Sequence, residues 1–444
     1  MTTSDRAECF VYLQMPGTTE TVACGKFVQV QAVGGGVVGA FAYGRKYRAR
    51  SDAVSLDPYS LPLSADEAQT TALGGIFGAL RDASPDAWGR RLIEHYTQRT
   101  DLSEIDFLLE SPQDRAGALS FGRGVDPPAP QRVYNSVVDL ADLLEAARQV
   151  DAGPAAGAGG TGGAGDTHHT TTLEAARFLL EHHGTSMGGA RSKSVVRADD
   201  DLWIAKFPRE GDRWNYAVVE AAMLALAARC GIAVPETRIE TVGHRSVLLV
   251  KRFDRERADR ADRAAVGADA WYRHRMVSAL TVLGADDAVT NRGRWSYLLL
   301  ADELRRWSSH ADADRVELFR RMVFNALVSN DDDHPRNHAL VAPRLDWMLA
   351  PAYDIVPNPQ PGRHDRDLAM VCGVAGRRAR RGNLLSGAGR FGVRLPDAVA
   401  IIDGMMATVQ ANWVADISAQ GGTGSDIAAV STAFVDEGFE YAEA

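Results

Sequence analysis

Cysteine is scarce in this chain: four residues in 444, at Cys9, Cys24, Cys230 and Cys372, none in CxxC spacing. A structural zinc site wants ligand pairs roughly two to four residues apart, so none is expected. The start, MTTSDRAECF, places no apolar stretch behind a basic one, and no secretory signal is expected. No uninterrupted apolar run reaches the roughly 18 residues that would span a bilayer. These absences read as a cytoplasmic protein with reduced thiols and no membrane partner. Excess positive charge is also missing. The formal net charge of −9 excludes a surface built throughout to hold nucleic acid. The one local concentration of basic residues, Arg377, Arg378, Arg380 and Arg381, reads as a solvated loop before it reads as a binding patch. Internal repeats are absent.

What is present is ordinary globular material, 45% hydrophobic and 24% charged, long enough for two or three domains. Cys9–Gln14, Lys26–Gln31 and Val37–Tyr43 are short Val-, Phe- and Tyr-rich runs separated by Pro-Gly and Gly-Gly-Gly, which predicts strands. From Leu73 to Tyr96 the apolar period becomes helical, broken by Asp82–Asp86, with Pro85 expected in the first turn of the second helix. Residues 1–125 thus read as a small α+β unit. Residues 151–166, DAGPAAGAGGTGGAGD, cannot repay their ordering entropy by burial and read as a linker. His168, His169, His182 and His183 flank that stretch. Adjacent side chains on a helix diverge, which argues against a metal site there.

After the linker, Ser194–Arg197 and Leu202–Phe207 flank Ala-Asp-Asp-Asp and predict a hairpin. Asn215–Cys230 predicts a helix stopped by Gly231, and Glu236–Thr241 with Ser246–Val250 predicts a second strand pair. Beyond Phe253 nearly everything reads as helical, including an apolar face at Leu318, Phe319, Met322, Val323, Ala326 and Leu327. A small β-rich lobe with an inserted helix, followed by a helical lobe, is the order of elements in a protein kinase.

Phosphoryl transfer requires a backbone cradle for phosphates, a lysine with an orienting acid, a base for the attacking hydroxyl, and oxygen ligands for Mg²⁺. Each has a candidate, in order. SMGGARSKS (186–194) offers Gly188 and Gly189 as cradle, although it is not a P-loop, which would need Gly where Ser192 stands. Lys206 lies in the apolar strand LWIAKFP, and Glu220 lies among Val219, Ala221 and Ala222 on the next helix. Each is costly to bury unpaired, though each could also be a plain surface charge. The strongest signal is NDDDHPRN (330–337) at the end of an apolar helix, followed by Tyr353-Asp354. Asp332 and Asn337 have the spacing of the Asp and Asn in the kinase loop HRDxxxxN. Asp354 follows a strand-like stretch, Asp346–Leu349, as the metal-binding Asp of DFG does.

Together these segments resemble the HipA family of kinases, the toxins of HipA/HipB-type toxin–antitoxin modules. SMGGARSK is similar to the family's phosphate loop, LWIAKFP to its lysine strand, and NDDDHPRNHAL with PAYDIVPNP to its catalytic and metal loops. LGGIFGALRDASPDAWGRRLIE and DRAGALSFG resemble its N-terminal domain. The resemblance implies Asp332 as catalytic base, and Asn337 and Asp354 as Mg²⁺ ligands. It implies that Gly188, Gly189, Ala190, Arg191, Ser192, Lys193, Lys206 and His334 surround ATP, with Glu220 pairing Lys206. Lys251, Arg252 and Phe253 would form the hinge beside adenine. Ser186 matches the serine that family members autophosphorylate, ejecting the loop. Family partners are a small helix-turn-helix antitoxin (HipB-like), operator DNA through that antitoxin, and protein substrates that include aminoacyl-tRNA synthetases. The segments 151–172 and Arg255–Asp269 look longer than is usual in the family.

The expectation is therefore an α+β, protein-kinase-like bilobal fold. Residues 1–125 form a HipA-type N-terminal domain and 126–172 a helix and Gly-rich linker. Residues 173–250 form a kinase N-lobe and 251–444 a helical C-lobe. The expected activity is Mg-ATP-dependent phosphorylation of protein Ser/Thr by a toxin. Two rivals stand beside it: a small-molecule kinase with the same catalytic loop, and a non-catalytic corepressor partner of an antitoxin. The HipA-like N-terminal segments speak against the first, and intact Lys206, Asp332, Asn337 and Asp354 against the second.

Overall fold

The computed structural model describes residues 6–32, 34–129, 134–152, 172–180, 189, 191–359, 366–434 and 439. It divides into two compact units. One comprises residues 1–209, 254–277 and 342–345, the other residues 210–253, 278–341 and 346–444.

The first unit is built on an antiparallel sheet of order β4-β3-β2-β1-β5, with β1 Arg6–Gln14, β2 Thr21–Gln31, β3 Val37–Tyr43, β4 Ala68–Thr70 and β5 Leu119–Gly122. The three predicted strands are present. β4 and β5 were not legible, being only three and four residues long. Val11, Leu13, Phe27, Phe41 and Phe121 alternate onto one face and fill the core with Ile76, Phe77 and Leu80. Gly39 of β3 lies so close to the Gly75 carbonyl that a Cβ would collide with backbone, and Gly75 itself has φ 77. The predicted helical stretch is a short helix, Gly78–Asp82, and a longer one, Ala87–Thr97. Pro85 stands just before the second helix and not inside its first turn, because Asp86 takes the N-cap and accepts a hydrogen bond from Gly89 N at 2.8 Å.

Two buried arginines hold this unit together. Arg115 is fully buried under the sheet and donates to the carbonyls of Leu108, Ser111, Pro112 and Ala83. Its burial lowers the guanidinium pKa to about 9. Arg255 meets Asp114 at 2.8 Å and Asp254 at 2.7 Å, with all three side chains 5% exposed or less.

The same unit carries strands from both sides of the Gly-rich stretch. β6, Asn135–Ser136, runs parallel to β7, Lys193–Ala198. β7 forms the predicted hairpin with β8, Asp201–Lys206, through Asp199 at φ 54. Val195, Leu202 and Trp271 make a small core beside it. Trp271 belongs to a short strand, Trp271–Arg273, paired with Arg255–Arg257. The expectation of near-continuous helix beyond Phe253 is corrected here. β-prone Trp-Tyr-Arg and, further on, Ala339–Ala342 and Met348–Leu349 are strands, too brief to show a period.

In the second unit, β9 Thr237–Val242 and β10 Arg245–Lys251 form the expected hairpin. The helix Tyr216–Arg229 is capped by Asn215 and ends before Gly231 at φ 75. One face, through Ala217 and Ala221, packs on Leu248 and Val250 of β10. The 25-residue helix Leu395–Ala419 packs along it, and Arg229 meets buried Asp416 at 3.0 Å. By length and composition this helix could cross a membrane. It instead carries Asp397, Asp403 and Asp416, and it buries a stripe of Ala398, Ile402, Met405 and Val409, as a packing helix does. The basic cluster is divided: Arg377 pairs with Asp367, Arg381 pairs with Asp403, and Arg378 is exposed.

Arg255→Ala should cost about 3–5 kcal/mol, because it leaves Asp114 and Asp254 buried without their cation. Urea unfolding checks this. A loss below about 1 kcal/mol would show that the two carboxylates find other partners.

Candidate active site

The apolar helix Ala311–Leu327 delivers the chain into the acidic loop. Helical geometry ends because Ser329 turns into the left-handed region at φ 54. The Ser329 hydroxyl donates to Ala433 O at 2.6 Å, and its carbonyl accepts from Asn358 N at 3.0 Å. A single helical turn, Pro335–Asn337, closes the loop and leads into the strand Ala339–Ala342.

The loop is organised around Asp333, which is buried. Its Oδ2 accepts from Tyr297 Oη on the helix Tyr297–Trp307 and from Asn325 Nδ2 at 2.7 Å on the incoming helix. His338 Nε2 at the outgoing strand lies 2.9 Å away. A carboxylate only accepts, so Nε2 carries the proton. Asn325 extends the network to Tyr297 Oη at 3.1 Å and receives Asn330 Nδ2 at 3.0 Å. Sequence reasoning missed Asp333 because three consecutive aspartates look alike.

Asp332, one residue earlier, points outward. Its carbonyl accepts from His334 N at 2.8 Å and from Asn337 Nδ2 at 3.1 Å, which closes the turn and ties Asn337 directly to the segment bearing Asp332. Among the described residues no hydrogen-bond donor reaches the Asp332 carboxylate. Partial burial raises its pKa above the usual carboxylate range. His334 and Arg292 oppose that rise, and the negative charges of Asp354 and Asp331 add to it. Asp354 is thus an electrostatic neighbour of Asp332. It stands at φ 61, a conformation a non-glycine residue adopts only when its surroundings impose it. The preceding Tyr353 donates to Arg336 O at 2.7 Å, which joins the second acidic segment to the first. Arg336 is in turn held by both oxygens of Asp287, each at 2.8 Å.

Asn337 is buried, and its Nδ2 is used by the loop, so its Oδ1 is the atom left to face a cation. An amide oxygen and a carboxylate are hard donors of the kind Mg²⁺ takes alongside nucleotide phosphates. Three or more His, Cys, Asp or Glu side chains grouped as a metal cage do not occur among the described residues. A nucleotide-borne Mg²⁺ needs only one or two such ligands.

The remaining candidates lie as follows. Ser186, Gly188 and Ala190 are outside the described residues, as are His168, His169, His182 and His183. Gly189 adopts φ 92, which suits only glycine. Arg191 is half-buried and Ser192 buried, with its carbonyl accepting from Phe207 N at 3.0 Å. Lys193 is buried, and its Nζ lies 2.6 Å from Asp86. Lys206 ends β8 in the first unit. Glu220 is buried in the Tyr216–Arg229 helix of the second. Lys251 faces Glu236 at 3.5 Å, Arg252 is buried, and the Phe253 ring packs 5.6 Å from Tyr353. His334 stacks edge-on to Trp295 at 6.3 Å.

The geometry belongs to a mixed α+β protein with a kinase-like arrangement of acidic loops. HipA of Shewanella oneidensis MR-1, solved in a complex with HipB and its operator DNA, superposes with a TM-score of 0.66. The two are 15% identical, over 96% of this chain and 94% of that one. The kinase-like α+β fold expected from sequence is thereby shown. The model of the HipA-like C-terminal domain matches residues 185–413, just over half the chain, and the chain belongs to the HipA family. Putative kinase Y4dM of Sinorhizobium fredii is 30% identical over 171 residues, which make up 35% of this chain and 37% of that protein. Putative kinase Y4mE of the same organism is 28% identical over 155 residues, 34% of each. The chain thus spans about a third of the length of these curated relatives.

Asp332→Asn should stabilise the folded protein, by under about 1 kcal/mol because the residue reaches solvent and is screened. The sign follows from the raised pKa. Protonated Asp332 suits the fold, so a penalty develops as pH rises from the ordinary carboxylate range through the raised value. Thermal melting of both proteins from pH 4 to 8 should show a gap that opens with pH. A constant gap, or one that widens in acid, would contradict it.

Proposed function

We propose that this protein is a Mg-ATP-dependent kinase that phosphorylates protein Ser/Thr. The observation that carries the reading is Asp332: a carboxyl held outward on a buried scaffold, with a raised pKa and no donor on it among the described residues, beside Asp354 and tied to Asn337. A base needs a free acceptor and a pKa moved toward the working pH, and Asp332 has both attributes.

In the proposed reaction Asp332 accepts hydrogen bonding from the attacking hydroxyl and takes its proton as the phosphoryl group transfers. Asn337 Oδ1 and the Asp354 carboxylate would hold Mg²⁺, which when bound neutralises charge on the nucleotide phosphates. Asp333 keeps the loop fixed, so no reorganisation is needed at the moment of transfer. Lys206, oriented by Glu220, is assigned to the phosphates together with Gly188, Gly189, Ala190, Arg191 and Ser192. Lys251, Arg252 and Phe253 are assigned to the adenine side, and His334 lies at the nucleotide. Ser186 is assigned as the autophosphorylated serine.

The biological setting follows from the family. We assign the chain as the toxin of a toxin–antitoxin module in the cytoplasm. Its partner would be a helix-turn-helix antitoxin and, through it, DNA, as the Shewanella protein is seen with HipB and operator DNA. Its substrate would be a protein such as an aminoacyl-tRNA synthetase.

Incubation with labelled Mg-ATP, followed by mass spectrometry of the chain, tests the chemistry. Wild type should acquire phosphate at Ser186. Asp332→Asn should be slower by roughly 10²–10⁴-fold with ATP affinity nearly unchanged. Labelling within threefold of wild type would overturn the role of Asp332, and phosphate on serines other than Ser186 would overturn the autophosphorylation site.

A further inference from the structure

The kinase reading leaves unexplained why Asp86, in the N-terminal segment SPDAW, faces the lysine that ends the phosphate segment. Asp86 has two duties. Oδ1 caps the helix Ala87–Thr97, and Oδ2 lies 2.6 Å from Lys193 Nζ. The two side chains are only 6% and 3% exposed. Two residues on, Trp88 donates its indole N–H to Lys193 O at 3.2 Å. The aspartate therefore grips the lysine's side chain while the tryptophan grips its backbone. Arg91 stacks over the Trp88 ring at 5.3 Å and approaches Asp151 at 3.6 Å, and Arg209, just past β8, approaches the same Asp151 at 3.7 Å. Around the start of β7 the neighbouring side chains are buried as well, Ser192 and Ser194 among them.

An ammonium this buried, with a carboxylate at contact distance, has its charge met within the protein. A lysine that serves as a point charge for phosphate keeps its head open to the ligand. We propose that Lys193 is not a nucleotide ligand, and that Asp86 is a positioning residue that acts on the phosphate segment through it. The pair fixes where the segment leaves β7, so that Gly189 and Arg191, immediately before it, approach the nucleotide from a fixed base. The N-terminal α+β domain thereby becomes part of the catalytic apparatus and not an appendage to it. This inference rests on the kinase reading for the identity of the ligand.

The test uses the full chain and three variants: Asp86→Asn, Lys193→Gln and the double variant. Asparagine caps helices as well as aspartate, so Asp86→Asn removes the charge and keeps the cap. Mg-ATP binding is followed by fluorescence of a labelled ATP analogue, and transfer by steady-state kinetics, well below each variant's melting midpoint. Each single variant should raise KM for ATP about tenfold while kcat changes less than threefold. The double variant should be no worse than the worse single, because the two residues act as one unit. Four results would overturn the proposal. A loss confined to Lys193→Gln would show that the lysine serves the nucleotide directly. Additive losses would show that the residues act independently. Lowered melting midpoints with unchanged KM would show a purely structural pair. Wild-type protein that binds no Mg-ATP would remove the kinase reading itself, and this inference with it.

Discussion

A buried carboxylate at Asp333 is the constraint on which the candidate site depends. Three elements meet there: the helix that carries Tyr297, the helix that ends near Asn325, and the strand that begins after His338. A carboxylate this deep persists only when donors surround it, and here they come from the Tyr297 helix, from the incoming helix and from the strand just after the loop. Fixing Asp333 inward fixes Asp332 outward. Its carbonyl is then left to receive Asn337, and among the described residues no donor reaches its carboxylate. Asp354 arrives under backbone strain, φ 61, which the loop contact of Tyr353 with Arg336 helps to sustain. Asp332 and Asp354 thus hold negative charge close together, which a cation would offset.

The first unit shows the same economy with opposite sign. Arg115 and Arg255 are buried cations satisfied by carbonyls and carboxylates, and Lys193 is a third, satisfied by Asp86. Arg255 and Lys193 join segments distant in sequence, while Arg115 ties Ala83 to the nearby carbonyls of Leu108, Ser111 and Pro112. Asp114 and Asp254 are far apart in the chain, as are Asp86 and Lys193. The unit is thereby pinned at a few polar points through an otherwise apolar core, and one of those points lies at the start of β7.

Much of this was legible in the sequence because short-range chemistry carried it. Short Val-, Phe- and Tyr-rich runs between Pro-Gly and Gly-Gly-Gly marked β1, β2 and β3, and Gly231 marked the end of a helix. The spacing of Asp332 and Asn337 marked a loop whose turn the Asn337 amide closes. The illegible parts were long-range. β4 and β5 are too brief to declare a period, and so are the strands after Phe253. Asp333 was hidden in a run of like residues until its partners appeared. The family resemblance implies Lys193 as a nucleotide ligand, and nothing near it in sequence announces its contact with Asp86. Pro85 was placed one step too far into its helix because the capping strength of Asp86 was not weighed against it.

We propose that Asn337 and Asp354 supply metal oxygens beside Asp332. The most direct measurement is a crystal structure of the protein with Mg²⁺ and a non-hydrolysable ATP analogue. Asn337 Oδ1 and an Asp354 carboxylate oxygen should then lie about 2.0–2.1 Å from Mg²⁺, with Asp332 free of the metal and turned toward the terminal phosphate. A metal bound through other residues, or a nucleotide lying away from Asp332, would contradict it.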